Sequence, residues 1–204
     1  MQNEIKVLLV RKYYPNDLNY LRENLDPQIK LVDPGEYTKE SLSKEISDAE
    51  IIFGEPPTKE VLDHADNLKL IQVPWTGVDR LNFDLLQNYN FTVCNSHSNS
   101  GAVSEYAVSL LLSLAKWIPY HDRYLREGKW CRPSGDLFEP PELLTGKTAG
   151  IIGFGSIGQR VAKLLRGFEM NLLAVDALNY RKDYDFVTQV FRPAELKEVL
   201  NASD

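Results

Sequence analysis

Three glycines, Gly153, Gly155 and Gly158, stand in a G-x-G-x-x-G spacing within GIIGFGSIGQRVAKLL, residues 150–165. The chemistry this spacing suits is the cradling of a pyrophosphate. Gly153 permits a tight turn, Gly155 lets the backbone approach the phosphates, and Gly158 allows a helix to pack close on the preceding strand. The amides of Ser156 and Ile157 would then point at phosphate oxygens from the positive end of that helix. An apolar run precedes the loop, an amphipathic run follows it, and Asp176 comes 18 residues after Gly158. A carboxylate at that position accepts hydrogen bonds from a ribose diol and repels a 2′-phosphate. The expected ligand is therefore NAD, with NADP disfavoured. Arg181 and Lys182 weaken that preference without reversing it. A glycine turn that merely packs a helix on a strand is the plainer alternative, and the strand–loop–helix–acid context weighs against it.

Other polar side chains offer less. Cys94 and Cys131 lack metal-ligand spacing and are expected to be reduced, buried thiols. His64 and His121 sit in polar helical contexts and are expected to be solvated. His97 has no readable acid partner and is expected to be a hydrogen-bonded structural residue. Asp79 reads as a loop or capping residue. No metal site is expected.

The glycine loop needs a sheet to carry it. From the N-terminus, short apolar runs alternate with helical patterns: Lys6–Val10, Ile29–Val32, Ala49–Phe53, Leu68–Val73 and Phe91–Cys94 read as strands. Asp17–Leu25, Lys39–Ile46, a segment capped by Thr58, and Phe83–Leu86 read as helices. Such alternation implies a parallel, doubly wound sheet. Ala102–Ile118 is apolar on nearly every face, so it is expected to be buried on several sides between two domains. Pro119 ends or kinks it. Tyr120–Glu127 continues as a charged helix, and Gly128–Glu142 reads as a linker. Strands at Thr148–Ile152, Asn171–Val175 and Phe186–Val190 follow, with helices at Ile157–Phe168 and from Pro193. Val161, Leu164 and Leu165 are expected to face inward. The organisation is then a first domain at 1–98, interdomain helices and linker at 99–142, and a second α/β domain at 143–204.

With 204 residues, 43% hydrophobic and 25% charged, the chain is an ordinary globular sequence. Its net charge of −6 argues against nucleic-acid and anionic-membrane partners. The longest apolar run, Val108 to Leu114, is broken by Ser109 and Ser113 and falls short of a bilayer span. A cytoplasmic location is expected.

Four ordered segments carry a family resemblance: LKLIQVPWTGVDRLN (68–82), VCNSHSNSGAVSEYAVSLLLSLAK (93–116), GKW (128–130) and ELLTGKTAGIIGFGSIGQRVAKLLRGFEMNLLAVD (142–176). Together they resemble the D-isomer-specific 2-hydroxyacid dehydrogenases, with Ser104 where the family usually has Ala. The resemblance implies a flavodoxin-like doubly wound substrate domain followed by a Rossmann NAD-binding domain. It implies hydride exchange between NAD(H) and a small 2-hydroxy or 2-keto acid. Trp75, Thr76 and Gly77 match the loop whose amides grip the substrate carboxylate, and Thr76 also reaches the nicotinamide end. Asn99 falls at the mouth of the same site. Gly153, Gly155, Ser156, Ile157, Gly158 and Asp176 match the cofactor site. A homodimer through residues 99–130 is also implied. The family's Arg and its His–Glu pair match nothing in this chain, so no catalytic residue is expected within it. Residues 147–190 supply strands one to three of the NAD domain, and a truncated, partial Rossmann domain is expected, inactive alone and with Thr148–Ile152 left as an edge strand. The alternative is a non-catalytic NAD-sensing or protein-binding module.

Overall fold

The computed structural model describes residues 4–130 and 141–204, and the chain divides into two compact units, Met1–Ser98 and Asn99–Asp204. Cys131 and most of the expected linker lie outside the described residues.

The first unit runs β1 (Ile5–Leu9), α1 (Pro15–Asn24), β2 (Ile29–Val32), α2 (Lys39–Ile46), β3 (Ile51–Phe53), α3 (Lys59–Leu62), β4 (Leu70–Gln72), α4 (Phe83–Leu86) and β5 (Thr92–Cys94). Its five strands are parallel in the order β2-β1-β3-β4-β5, the flavodoxin-like winding. Helices cover both faces of such a sheet, so central strands read as continuous apolar runs rather than alternating ones. Leu8 and Leu9 of β1, Ile52 of β3 and Ile71 of β4 are accordingly sealed from solvent, as are Ile46 of α2 and Val73 just past β4. Two helix starts are capped by side chains: Thr38 accepts from the Ser41 amide and Asn82 from the Leu85 amide. Thr58 occupies the capping position of α3 but makes no such bond.

The second unit comprises α5 (Ser100–Ala115), α6 (Ile118–Arg126), β6 (Thr148–Ile152), α7 (Ser156–Arg166), β7 (Asn171–Val175), β8 (Gln189–Phe191) and α8 (Leu196–Ala202). Its described strands form a parallel sheet ordered β6-β7-β8, one half of a Rossmann winding. The core gathers Val108 of α5, Phe154, Ala162 and Leu165 of α7, and Leu172 and Ala174 of β7. Among the described strands β6 pairs only with β7, and Ile152 is 66% exposed. At the start of its other edge, Thr148 donates to the Asp204 carboxylate at 2.8 Å and accepts from the Asp204 amide at 3.0 Å. A groove of about 570 Å³ runs among α5, β6, α7 and Asp204.

Several expectations fail here for identifiable reasons. Only Ser100, Ser104 and Val108 of α5 are buried. The helix packs one face on α7, while Tyr106, Leu110 and Leu114 are 66%, 54% and 78% exposed. Its break precedes Pro119: Trp117 adopts a left-handed φ of 54°, and Pro119 sits in the first turn of α6, where a missing N–H costs nothing. Leu164 faces outward, because Gly158, Ala162 and Leu165 form the buried stripe of α7. The third strand begins at Gln189 rather than Phe186, whose ring instead packs on Phe154 and Tyr184. Pro193–Glu195 forms a 3-10 turn that precedes α8. Cys94 is exposed, not buried. His97 is exposed and makes no hydrogen bond to a described residue, so it is not a structural anchor. No described helix is long and apolar enough to cross a membrane, and no described cluster of His, Cys, Asp and Glu could hold a metal ion.

Candidate functional site

The loop between β6 and α7 is the best-defined candidate. Its turn depends on Gly153, at φ 90°, a region that side-chain-bearing residues avoid. A Cβ on Gly158 would lie 2.1 Å from the Gly153 carbonyl oxygen, so α7 leaves the loop at backbone contact distance. Gly155 is the opposite case: a Cβ there would meet nothing within 4 Å, so the space above the loop is open. Helix α7 starts at Ser156 with Gly155 as its cap residue, and no side chain caps it. The first amides of an α-helix have no partner within the helix. Those of α7 therefore converge, with the positive end of the helix dipole, on the open space beside Gly155.

Asp176 ends β7 and holds this loop in shape. Its Oδ2 accepts from the Phe154 amide at 2.7 Å. Its Oδ1 accepts from the amides of Leu178 and Asn179 at 2.8 Å each. Partial burial pushes the carboxyl pKa up, but the hydrogen bonds from Asn179, Leu178 and Phe154 outweigh it and hold the group below the usual carboxylate range. A carboxylate offers about four acceptor positions. Three are taken by backbone amides, two on Oδ1 and one on Oδ2.

Two more side chains belong to this arrangement. The Phe154 carbonyl accepts from Gln159 Nε2 at 2.9 Å and Asn179 Nδ2 at 3.1 Å. Beneath them the Phe154 ring is fully buried and meets Tyr184 edge-on at 5.0 Å. Sequence reasoning missed Gln159 and Asn179 and missed the clamping role of Asp176. An Asp followed by Asn three residues later at a strand end is a turn-forming signal, and it could have found the second half of this clamp.

In the first unit, Trp75, Thr76 and Gly77 lie together just past β4. The loop is tied to the chain beyond β5: the Ser96 amide donates to the Trp75 carbonyl at 3.1 Å and Asn95 Nδ2 to the Thr76 carbonyl at 2.8 Å. Thr76 Oγ1 in turn donates to the Ser96 carbonyl at 2.9 Å. A trans peptide points its N–H opposite to its carbonyl, and no described bond is cis. The amides of Thr76 and Gly77 therefore face away from the β5 side. Asn99 belongs to the second unit, at the capping position of α5, where its side chain makes no capping bond. The structure thus gathers Trp75, Thr76 and Gly77 in one loop, and Gly153, Gly155, Ser156, Ile157, Gly158 and Asp176 around another.

Residues 108–204 match the family model described as "D-isomer specific 2-hydroxyacid dehydrogenase, NAD binding domain". The chain is 35% identical over 177 residues to a D-3-phosphoglycerate dehydrogenase of Archaeoglobus fulgidus, covering 84% of this chain and 32% of that one. It is 28% identical over 207 residues to a glyoxylate reductase of Pyrococcus furiosus, covering 98% of this chain and 60% of that protein. A solved D-isomer specific 2-hydroxyacid dehydrogenase family protein from Aeromonas salmonicida superposes with a TM-score of 0.77 at 24% identity, covering 99% of this chain and 62% of that one. At that identity the likeness speaks for the fold alone. The chain therefore spans 32% to 62% of the length of these relatives.

Proposed function

Because the chain belongs to the D-isomer specific 2-hydroxyacid dehydrogenase family, we propose that it is the substrate-binding and NAD-binding portion of an oxidoreductase. That enzyme exchanges a hydride between NAD(H) and a small 2-hydroxy or 2-keto acid. NAD is the cofactor, and when bound it supplies the hydride acceptor or donor.

The chain's own residues bind and orient. Gly153, Gly155 and Gly158 shape the cradle, and the amides of Ser156 and Ile157 hold the pyrophosphate. The Asp176 carboxylate accepts from a ribose hydroxyl. Its negative charge, already neutralised in part by three amides, still disfavours a 2′-phosphate. In the first unit, the outward amides at Thr76 and Gly77 bind the substrate carboxylate, Trp75 walls that site, and Thr76 faces the nicotinamide end. By the family resemblance Asn99 is assigned to substrate binding as well. Proton transfer needs a positioned acid–base group, and no residue here matches the family's Arg or His–Glu pair. We expect these 204 residues to bind NAD with negligible turnover. Self-association as a homodimer through the exposed stripe of α5, and a cytoplasmic location suited to the free, exposed Cys94 thiol, complete the proposal.

The observation that carries this reading is the uncapped start of α7 facing open space at Gly155. Calorimetric titration with NAD, ADP-ribose and NADP tests it. NAD and ADP-ribose should bind comparably, and NADP about tenfold more weakly or worse. Absence of any nucleotide binding refutes the site. Brisk NADH oxidation with glyoxylate, pyruvate or hydroxypyruvate refutes the claim that the proton-transferring groups are missing from these residues.

A further inference from the structure

A charged side chain at the carboxyl edge of the first unit's sheet has no counter-ion among the described residues. Arg11 follows β1. Its guanidinium carbon lies 5.3 Å from the Trp75 ring centroid and 5.7 Å from that of Tyr13. Tyr13 is itself fixed: its hydroxyl donates to the Phe53 carbonyl at 3.1 Å, its ring packs on Phe53 at 5.3 Å, and burial pushes its pKa up to about 12. Gly54, at φ 137°, makes room for this stack; a Cβ there would meet Val10 Cγ2 at 2.5 Å and Tyr13 Oη at 3.3 Å. Arg11 is exposed and makes no ion pair or hydrogen bond with any described residue.

These facts are unusual together. An exposed arginine normally samples many rotamers in water, whereas this one is bracketed by two aromatic rings. Aromatic contacts engage the face of a guanidinium and leave its in-plane N–H donors for a planar or tetrahedral oxyanion. Ligands of doubly wound sheets bind outside the carboxyl ends of the strands, which is where Arg11 stands. Its partner Trp75 opens the loop whose outward amides face the substrate under the reading above.

We propose that Arg11 is a specificity-determining residue that binds a second anionic group on the substrate, remote from the carboxylate at the Thr76–Gly77 amides. This rests on the assignment of that loop to substrate. The preferred substrate class is then a 2-hydroxy or 2-keto acid with a second carboxylate or a phosphate at its far end.

The test is calorimetric titration of the chain, saturated with NAD, using D-glycerate, D-malate and D-3-phosphoglycerate. D-malate or D-3-phosphoglycerate should bind about tenfold or more tightly than D-glycerate, the worth of a charge-assisted hydrogen-bonded contact. Preference for malate marks a carboxylate, and preference for phosphoglycerate marks a phosphate. Arg11→Met should erase that preference and leave D-glycerate within about twofold, while Arg11→Lys retains part of it. The loss in Arg11→Met with partial rescue in Arg11→Lys separates recognition from folding, and unchanged thermal denaturation confirms it. Equal binding of all three acids by the wild type, or an equal loss for all three in Arg11→Met, overturns the Arg11 assignment alone. Failure of the NAD-saturated chain to bind any of them overturns the substrate reading of the 75–77 loop and this inference with it.

Discussion

Substituting alanine at Gly155 and at Gly158 separates the two functions of the glycine loop. At Gly158 the new methyl would lie 2.1 Å from the Gly153 oxygen and 3.1 Å from its carbonyl carbon. The obstacle is backbone, not the end of a flexible side chain, so helix and loop must part by roughly an ångström, an overpacking cost of about 1–3 kcal/mol. Replacing a helical glycine by alanine returns about 1 kcal/mol. Because the obstacle is rigid backbone, the cost falls in the upper half of that range, about 2–3 kcal/mol, so the net loss is about 1–2 kcal/mol, and each kcal/mol is worth about 4–8 °C of melting temperature in a unit of this size. At Gly155 the methyl meets nothing within 4 Å and φ is −78°. Alanine caps helices less well than glycine, but it also restricts the unfolded chain. These opposing effects are each under about 1 kcal/mol, so stability should hardly change. The same methyl, however, occupies the space assigned to the phosphates, and NAD affinity should fall about tenfold or more. Chemical denaturation and NAD calorimetry on both variants give the comparison. A Gly158→Ala protein as stable as wild type would refute the close helix–loop approach. A Gly155→Ala protein binding NAD as wild type would refute the cradle.

Asp176→Ala should cost about 2 kcal/mol, because it removes a charged acceptor from three amides, and should weaken NAD binding; urea titration and calorimetry read both. Because its folded pKa is depressed, the carboxylate's contribution to stability is complete above the unfolded value near pH 4 and is lost as pH falls through the lower folded value. The stability gap between wild type and Asp176→Ala should therefore close on acidification. Gln159→Ala or Asn179→Ala each removes one of two donors to the Phe154 carbonyl. Each should cost about 1 kcal/mol and lower NAD affinity severalfold without affecting the first unit, as amide hydrogen exchange would show. Leu110→Glu with Leu114→Glu places two charges on the exposed stripe of α5. Light scattering should find a smaller assembly than for wild type with folding retained, and an unchanged mass would refute self-association through that stripe.

What the sequence disclosed follows the range of the interactions involved. The central strands of the first unit were legible because a sheet covered on both faces demands unbroken apolar runs, and residues 7–10 and Ile51–Phe53 supply them. The glycine spacing was legible because Gly153 and Gly158 answer backbone requirements within six residues. Asp176 was singled out for the cofactor, but its hold on the loop was not legible. The carboxylate spends three acceptor positions on the amides of Phe154, Leu178 and Asn179. Phe154 is distant in sequence, and only the fold brings it alongside. The same limit explains α5. Periodicity counts the apolar residues on a helix, not the surfaces available to cover them. Val108 found α7, while Leu110 and Leu114 found solvent.

Asp176 thereby couples two properties that the sequence presents as separate. A residue that only selected between cofactors could be exchanged freely for one that tolerates a 2′-phosphate. Under the proposed function the selecting carboxylate also fixes the Phe154 amide, and Phe154 lies between Gly153 and Gly155 of the proposed pyrophosphate cradle. A neutral replacement relieves repulsion of the 2′-phosphate but releases the loop on which both cofactors depend. Cofactor preference in this fold is therefore resistant to change at Asp176 alone. Asp176→Ser should lower affinity for NAD without bringing NADP to the level at which the wild type binds NAD. Relaxed specificity requires that another acceptor first take over the amides of Phe154, Leu178 and Asn179.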